Sequence, residues 1–358
     1  MIAQLYFPRS LSASRLDTHL ASGWFRSCNY LHKFKIICIE GQVSSVVNIR
    51  LDLKDYLPPK RMRKIKNRVE RNFTVRIRPA IITKEKEALY HNHKARFKGH
   101  VFESLQHIIY EDPNRPIFNT YEVSVYDENQ LIAFSFFDLG NTSVASIIGI
   151  FDENYSNHSL GTYTMIAEAV YGQKIGKRFY YPGYILTKNH SFDYKLKVGE
   201  MMFYDGNGSG RWKNFSALDK TLLPDYQLTQ SYQCLSTYLD NNHITFKHYY
   251  YDFFALGFMP PFQEELFKNV MYVAIDEADD RKCIIEFDFD TKTYRLCYLK
   301  EAAEYAFLLS SGYDSNQPLL KYQRIILESE DLITFGRMVK EFLKSTPRLG
   351  KLKKSNIK

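Results

Sequence analysis

The stretch HSLGTYTMIAEAVYGQKIGKRFYYPGY, residues 158–184, decides the fold. It opens with a small-residue turn, continues as a helical pattern and ends in an aromatic strand containing Pro-Gly. Three strand-like segments precede it, joined by Asp-Glu-Asn and Gly-Asn-Thr, which favour hairpin turns: YEVSVYD, QLIAFSFFDL and SVASIIGIFD. We expect the last strand to return beside the third. The N-terminus of the helix should then point into a crevice where these two strands splay apart.

The segments on either side of this unit also carry helix and strand patterns. Residues 13–28 and 84–97 are typical of helices, and PPKRMRKIKNRVERN of a turn followed by a basic helix. Further strand patterns are FKIICIE, SSVVNIRLDL and FTVRIRPA. The character changes after about residue 225. Residues 270–299 predict an antiparallel meander, residues 328–345 an amphipathic helix with Ser329 as N-cap, and RLGKLKKSNIK a mobile basic tail.

The composition is that of a globular chain with a basic excess. Its 358 residues suffice for two domains, and the formal net charge of +8 suits a polyanionic partner. The five cysteines form no C-x-x-C pair, which disfavours a disulfide scaffold and a zinc ribbon. The first residues lack the apolar core of a secretory signal, and no apolar run is long enough to span a membrane. We therefore expect a cytoplasmic protein without membrane contact.

The mouth of the central helix has two interpretations. A helix N-terminus carries unpaired N–H groups and partial positive charge, so it favours phosphate. Ser159 can cap the helix, Gly161 lets a ligand approach the backbone, and Thr162 adds a hydroxyl. In the structural alternative, Ser159 only caps the helix and Gly161 only relieves crowding. A P-loop is excluded, because G-x-x-x-x-G-K-[ST] does not occur.

Two further patterns are compatible with nucleic acid. The strand with Tyr180, Tyr181, Gly183 and Tyr184 could stack bases, or it could be an ordinary half-buried strand. Seven of the twelve residues 60–71 are Lys or Arg. This cluster could follow a nucleic-acid backbone, or it could be a solvated helix face.

Metal and triad chemistry have little support. His91, His93 and His100 lie close in sequence but lack carboxylates at ligand spacing, so we predict no metal site. No G-x-S-x-G elbow supports a Ser-His-Asp triad. Asp138 ends a strand beside the expected crevice, where it could position a cationic group or cap a turn.

Residues from about 16 to 212 resemble the aminoacyl-tRNA–protein transferases, which include arginyl-tRNA–protein transferase and bacterial leucyl-transferring relatives. An ordered series of motifs carries the resemblance: GWFRSCNY, YLPPKRMRKIKNR, EALYHNHKARF, FFDLGNTSVASIIGIFD, HSLGTYTMIAEA and YYPGYILTKNHSFDYKLKVGE. In the last of these the family reads Tyr-x-Gly-Tyr-x-Ile followed by a Tyr-Lys pair, which is Tyr194-Lys195 here.

The resemblance implies an α+β fold of acetyltransferase-like (GNAT) type, often duplicated, with a mixed sheet and flanking helices. It implies an N-terminal transferase domain with the basic cluster (residues 1–105) and an acetyltransferase-like domain (106–225). The residues after Trp212 match nothing in the family, and from their own patterns we expect residues 226–358 to form an unassigned C-terminal α+β extension. The implied activity moves an amino acid, arginine by preference and leucine next, from charged tRNA to the N-terminal α-amine of a protein. Such a mark belongs to the N-degron route. Charged tRNA is the co-substrate, and no cofactor is implied.

The same resemblance implies roles for particular residues. The terminal phosphate and ribose of the tRNA would be cradled by Ser159, Leu160, Gly161, Thr162 and Tyr163. The terminal adenosine and aminoacyl pocket would be lined by Tyr181, Gly183 and Tyr184. The candidate catalytic residues are Tyr194, Lys195 and Asp138. The tRNA backbone would be held by six cations: Lys60, Arg61, Arg63, Lys64, Lys66 and Arg68.

The sequence departs from the family at its cysteines. Family members carry an N-terminal motif of C-x-x-C type that can hold a metal centre, whereas this region has only Cys28 and Cys38. Asn189 stands where the family often has a cysteine. Acceptor specificity is therefore not implied. Two alternatives stay open: an aminoacyl-tRNA-dependent transferase with another acceptor, and a non-catalytic tRNA-binding protein of the same fold.

Overall fold

The structure is a computed structural model that describes residues 2–39, 41–95, 102–109, 116–206, 211–260, 262–277, 281–308 and 317–346. The chain divides into two compact units. We call Leu5–Lys33 with Val46–Leu218 the crevice unit, and Met1–Gln4, Phe34–Ser45 and Asp219–Lys358 the meander unit. The expected boundary between residues 105 and 106 falls inside the crevice unit, and that between 225 and 226 lies near its end. The three-part division stays a prediction.

The described residues form seven α-helices. They are α1 (Ala13–Ala21), α2 (Lys60–Asn72), α3 (Lys84–Lys94), α4 (Leu105–Ile109), α5 (Leu160–Lys174), α6 (Pro224–Asn241) and α7 (Leu332–Ser345). The helices expected at α2, α3, α5 and α7 are confirmed. The helix expected over residues 13–28 is confirmed only as far as Ala21, because Phe25–Ser27 form a strand. Residues 96–97 at the expected end of α3 lie outside the described residues, as does the basic tail from residue 347. The expected N-cap of α7 is wrong. The carboxylate of Asp331 caps it, accepting from Thr334 N at 2.7 Å, whereas Ser329 Oγ bonds only to the backbone of Asp331, accepting from its N and donating to its carbonyl.

Seventeen strands are described. They are β1 (Ala3–Tyr6), β2 (Phe25–Ser27), β3 (Tyr30–Phe34), β4 (Ile36–Ile39), β5 (Gln42–Asp52), β6 (Thr74–Pro79), β7 (Thr120–Asp127), β8 (Gln130–Leu139), β9 (Ser143–Phe151), β10 (Phe179–Leu186), β11 (Met201–Asp205), β12 (Arg211–Asn214), β13 (Lys247–Tyr250), β14 (Met271–Glu277), β15 (Lys282–Asp288), β16 (Thr293–Glu301) and β17 (Leu320–Ser329). They form a three-stranded sheet β1-β3-β2, a sheet β12-β11-β5-β10-β9-β8-β7-β6 with β4 beside β5, and a sheet β13-β14-β15-β16-β17.

The meander unit is built on the five-stranded sheet, whose strands are all antiparallel. The expected meander over residues 270–299 is confirmed as β14 to β16. Helix α6, which sequence patterns had not predicted, packs on β15 and α7. It buries a stripe at helical spacing, Leu228, Tyr232, Leu235 and Leu239, and Pro224 occupies its first turn.

The crevice unit contains the expected order of strands and helix. Strands β7, β8 and β9 pair as antiparallel neighbours, α5 follows, and β10 returns parallel to β9. Helix α5 packs on β8, β9 and β10 and is buried on nearly every side. Gly172 permits this close approach, since a Cβ there would lie 2.6 Å from Cγ2 of Val144. The fold class is therefore α+β with an acetyltransferase-like unit, as expected.

Candidate active site

The crevice opens where β9 and β10 separate. Their parallel pairing covers three residue pairs and ends at Ala145 and Tyr181. Pro182 comes next and has no N–H to donate to a ladder. Gly183 then adopts φ of 104°, a conformation that favours glycine, and the register of β10 against β5 shifts at this point. Beyond the shift β10 pairs only with β5, so the local sequence Tyr-Pro-Gly accounts for the split.

A 3₁₀ segment, His190–Val198, lies against β10 and α5 and carries the Tyr-Lys pair. Lys195 Nζ donates to the carbonyl of Tyr184 at 3.2 Å and lies 4.8 Å from the centre of the Phe192 ring. A Cβ on Gly183 would lie 3.1 Å from the same amine, so glycine leaves room for it. Burial lowers the pKa of Lys195 to about 8, which gives the side chain a neutral fraction near neutral pH.

The other expected residues of this region lie beside Lys195. Tyr194 is 40% exposed. Burial of its hydroxyl end, and then the charge of Glu168, raise the pKa of Tyr194. The half-buried ring of Tyr184 lies 5.6 Å from that of Phe192. The structure thus brings Gly183, Tyr184, Tyr194 and Lys195 together in one place.

Tyr181 lies elsewhere. Side chains alternate along a strand, so Tyr180 faces α5 while Tyr181 faces the opposite side. Tyr181 is 1% exposed in a core cluster with α1, and its ring meets the ring of Trp212 edge-on at 5.5 Å. Trp212 is fixed by its Nε1, which donates to the carbonyl of Ala21 at 2.8 Å. To line the aminoacyl pocket, as the sequence predicted, the ring of Tyr181 would have to leave this core cluster.

At the N-terminus of α5, the side chains do not play the roles that the sequence predicted. Ser159 is in the left-handed conformation (φ 58°, ψ 42°) and makes no side-chain capping bond, so the expected cap is wrong. The bare side of Gly161 faces Phe151, where a Cβ would lie 3.4 Å from the ring in ordinary van der Waals contact, so packing alone does not require glycine here. Leu160 and Tyr163 are buried, and Thr162 is half-buried. The groups available to a ligand at the N-terminus of α5 are therefore mainly the backbone amides of its first turn.

Asp138 is held in a buried ion pair. Arg26 Nη1 donates to its carboxylate at 2.8 Å, and the Thr120 hydroxyl donates at 2.7 Å. The same guanidinium also donates to the carbonyls of Ile109 and Cys28. Asp138 thus positions a cationic group, one of the two alternatives left by the sequence. Direct catalysis by Asp138 would first have to break this ion pair, which is costly in the interior.

Helix α2 presents its basic face outward. It is anchored through a stripe of Met62, Ile65 and Val69, of which the first and last are buried. Five of the six expected tRNA-contacting cations are exposed: Lys60, Arg61, Arg63, Lys64 and Arg68. Lys66 is instead half-buried and pairs with Glu70 at 2.6 Å. Because α2 packs on α5, and Tyr163 Oη donates to Glu70 at 3.3 Å, the basic face adjoins the mouth of α5.

One ionisable group of the crevice was missed by the sequence analysis. Glu168, in the middle of α5, is fully buried, and burial raises the pKa of its carboxyl to about 7. The signal was present, because Glu168 is the lone acid in the otherwise apolar run MIAEAV.

The described residues contain neither a metal-binding cluster nor a membrane-spanning helix. Within those ranges no group of three or more His, Cys, Asp or Glu side chains is arranged to hold a metal ion. His93 is buried on α3, whereas His100 lies outside the described residues. All five cysteines are free thiols. No helix in the described part of the chain is both long and apolar enough to cross a membrane.

Several known proteins are similar in sequence to this chain. The family model described as "Arginine-tRNA-protein transferase, C terminus" matches residues 83–204, from α3 to β11. The chain is 23% identical over 196 residues to an aspartate/glutamate leucyltransferase of Leptospira interrogans, covering 53% of this chain and 74% of that protein. It is 27% identical over 185 residues to an aspartate/glutamate leucyltransferase of Shewanella sp. strain MR-7, covering 50% and 74%. Over these parts of its sequence the chain is therefore similar to the aminoacyl-tRNA–protein transferases.

Two solved structures also resemble parts of this chain. A tandem GNAT protein from the clavulanic acid biosynthesis pathway matches with a TM-score of 0.32 and 10% identity, covering 46% of this chain and 50% of that one. L-PGS from Bacillus licheniformis matches with a TM-score of 0.32 and 14% identity, covering 42% and 48%.

The match to the family model includes residues of the crevice but does not identify the donor amino acid. The matched residues include Gly183, Tyr184, Tyr194 and Lys195, and they end before the C-terminal part of the chain. The preference for arginine that the sequence suggested is not confirmed, since both relatives are named as leucyltransferases of aspartate and glutamate.

Proposed function

We propose that this protein moves leucine from leucyl-tRNA to the α-amine of proteins that begin with Asp or Glu. The observation that carries the proposal is the amine of Lys195, held at Tyr184 and Gly183 where β9 and β10 part. The names of the relatives support the donor and the acceptor. Arginine is the second candidate donor, because the matching family model is named for arginine. Modified proteins would enter N-degron degradation, and the site of action would be the cytoplasm, where charged tRNA is available.

The chemistry needs no nucleophilic side chain, because the ester of a charged tRNA is already activated. The acceptor α-amine has a pKa of about 8 and is partly neutral at pH 7. Holding that amine against the ester carbonyl supplies much of the acceleration. In its charged form, Lys195 stabilises the oxyanion that forms as the amine adds to the carbonyl. Tyr184 and Tyr194 form the walls on either side of this amine.

The tRNA approaches along α2 and α5. The exposed cations of α2 hold phosphates of the acceptor stem, and the first-turn amides of α5 bind the phosphate nearest the 3′ end. The proximity of the two helices supports this path, since α2 packs on α5. Ser159 contributes through its backbone, which turns in the left-handed conformation just before these amides.

The test is direct transfer of label. Purified full-length protein is incubated with tRNA charged with labelled leucine and, separately, with labelled arginine. Peptides beginning with Asp, Glu, Lys or Arg serve as acceptors, and label is followed into peptide. We expect incorporation from leucyl-tRNA into the Asp and Glu peptides.

The other outcomes separate the alternatives. Transfer from arginyl-tRNA would correct the donor and keep the reaction. Binding of charged and uncharged tRNA with equal affinity, without transfer in any combination, would replace the proposal with a tRNA-binding protein. Transfer to a different acceptor only, such as a free amino acid or an aminolipid, would keep the donor chemistry and change the acceptor class.

A further inference from the structure

Arg50 lies on β5 at the level where β10 leaves β9. The register shift between β10 and β5 falls, on the β5 side, between Leu51 and Ile49. Arg50 is therefore the residue of β5 that lies opposite the bulge formed by Tyr181 and Pro182. Because side chains alternate along a strand, Arg50 points to the face of the sheet away from α5, as Tyr181 does.

Two aromatic rings hold the guanidinium of Arg50. Its Cζ lies 4.0 Å from the centre of the Phe179 ring, at the start of β10, and 4.5 Å from the centre of the Trp212 ring, on β12. The rings attract the cation through their faces, but they do not accept hydrogen bonds in the plane of the guanidinium. The two rings therefore fix the direction of the N–H groups and leave most of them without an acceptor.

No acidic group neutralises this cation among the described residues. Within them, the only hydrogen bond of Arg50 runs from Nη1 to the hydroxyl of Tyr181 and is long, at 3.5 Å, while the buried Nε has no partner. The carboxylate of Asp52, two residues along β5, accepts instead from Arg178 at 2.6 Å and from the amide of Lys54 at 2.9 Å. A half-buried cation without a carboxylate retains a desolvation cost that a bound anion would offset.

We propose that Arg50 binds the side-chain carboxylate of the Asp or Glu with which the acceptor protein begins. This inference rests on the proposed transfer reaction and names a residue that determines acceptor specificity. A guanidinium presents a planar fork of N–H donors, which matches the two oxygens of a carboxylate. The side-chain amides of Asn and Gln have the same shape but only one acceptor oxygen and no charge, so this site should reject them.

The position of Arg50 suits this role, because the crevice begins on the same stretch of β10. Gly183 directly follows the bulge opposite Arg50, and it leaves room for the amine of Lys195. In the first residue of an acceptor, the α-amine and the side-chain carboxylate are only a few bonds apart. A side chain bound at Arg50 therefore keeps its own α-amine close to the place where the strands part.

The surroundings of Arg50 favour a carboxylate over the phosphates of tRNA. The cations proposed to hold tRNA are exposed along α2, where several charges in water suit a polyanion. Arg50 is half-buried between two rings, where the exclusion of water strengthens a single charge-assisted hydrogen bond. Such a site discriminates a charged side chain from a neutral one of equal size.

The test compares steady-state transfer to four peptides that differ only in their first residue, which is Asp, Glu, Asn or Gln. The proteins are the wild type, Arg50→Met, Arg50→Lys and the control Arg76→Met. Arg76 also lies over an aromatic ring, that of Tyr126 at 5.0 Å, but on the edge strand β6 of the same sheet. The KM for the peptide and the KM for charged tRNA are measured separately, with the donor that the wild type uses.

We expect the wild type to prefer the acidic peptides to the matching amides. Arg50→Met should raise the KM for the acidic peptides about thirtyfold, because it removes a charge-assisted hydrogen bond, and should leave the KM for charged tRNA unchanged. Its preference for Glu over Gln should then nearly vanish. Arg50→Lys keeps the charge and loses the planar fork, so its preference should be intermediate. Arg76→Met should behave as the wild type.

Three results would overturn the inference. The first is a wild-type preference for Glu over Gln in Arg50→Met. The second is a raised KM for charged tRNA in that variant with an unchanged KM for the peptide, which would assign Arg50 to the tRNA. If Arg50→Met does not fold, Arg50→Lys carries the test, and a wild-type preference in that variant is the third.

A binding measurement separates this inference from the proposed function. The Glu and Gln peptides are titrated calorimetrically into the full-length protein without tRNA. Tighter binding of the Glu peptide by the wild type, lost in Arg50→Met, would support the carboxylate site even if no amino acid were transferred. Equal binding of the two peptides by the wild type would overturn the inference, and transfer of label to peptide would still support the proposed function.

Discussion

Each of the two units buries a glutamate, but the hydrogen bonding of the two carboxyls differs. Glu286 on β15 and Glu168 on α5 are both fully buried, and burial raises the pKa of each. Glu286 accepts from Asn269 Nδ2 and receives the Tyr322 hydroxyl at 2.9 and 3.1 Å on its two oxygens. Glu168 accepts one hydrogen bond of normal geometry, from Tyr180, while the hydroxyls of Ser135 and Ser146 lie near enough to lower its pKa without bonding Oε1 in good geometry. A fully paired buried network makes the surrounding packing rigid, whereas a partly paired carboxyl retains more of the cost of its burial.

The largest expected effect concerns activity in the crevice unit. Lys195→Met should lower the transfer rate by about a thousandfold, because it removes the cation proposed to stabilise the oxyanion. Lys197→Met is the matched control, since Lys197 lies on the same 3₁₀ segment with an exposed side chain. Both proteins should melt within a few degrees of the wild type. Equal rates for the two variants would contradict a chemical role for this amine.

The next effect separates the two glutamates by stability. Glu286→Gln places an amide NH₂ opposite the donors Asn269 and Tyr322, so we expect a loss of about 3 kcal/mol in the free energy of unfolding. Glu168→Gln can keep the bond from Tyr180 and should lose far less. Urea unfolding at pH 7 measures both. A larger loss for Glu168→Gln would contradict the difference in hydrogen bonding between the two carboxyls.

The pH dependence of stability provides a smaller test of the same comparison. The folded pKa of Glu168, about 7, lies above the ordinary value of 4.5. A raised pKa stabilises the fold fully below the unfolded value, and this contribution is lost as pH rises through the folded value. Between pH 5 and 8 the wild type should therefore lose roughly 2 kcal/mol that Glu168→Gln keeps. Parallel stability curves for the two proteins would show that the carboxyl is not destabilised by burial.

The smallest effect concerns the basic face of α2. The double variant Arg61→Ala with Lys64→Ala should weaken tRNA binding several-fold and lower the slope of log affinity against log salt by between one and two. Arg337→Ala, on the exposed face of α7, removes a charge from the meander unit and serves as control. Filter binding at several salt concentrations gives the slopes. An equal loss of tRNA affinity in the control would mean that the net charge of the protein, and not the basic face of α2, determines tRNA binding.

Much of the fold could be predicted from the sequence, because local patterns determine it. The strand-like apolar segments of β7, β8 and β9, the turns between them and the helical run after Ser159 are sufficient to predict the order of elements in the crevice unit. Tyr-Pro-Gly also marks the place where β10 leaves β9. Helix α6 was missed although its apolar residues recur at helical spacing, since its Tyr, Gln, Ser and Thr residues make that pattern weak.

The site was less predictable, because it depends on which way side chains face. Alternation along β10 sends Tyr180 toward Glu168 and Tyr181 into a core, and a bulge at Gly183 resets the alternation beyond it. Asp138 could be named from the sequence, but its partner Arg26 is 112 residues away. The left-handed turn at Ser159 has no sequence signal, since serine rarely adopts it. Contacts of this kind become visible only when the strands are assembled.

Trp212, whose ring meets that of Tyr181 edge-on, also makes the intrinsic fluorescence of the protein specific to one unit. The chain has two tryptophans, Trp24 and Trp212, and both belong to the crevice unit. Arg50 lies over the Trp212 ring at 4.5 Å, and Tyr181 follows the residue that bonds Glu168. Indole emission will therefore report on the unit that holds the crevice and ignore the meander unit. Titration with tRNA and stepwise denaturation can be followed in one half of the protein without any added label.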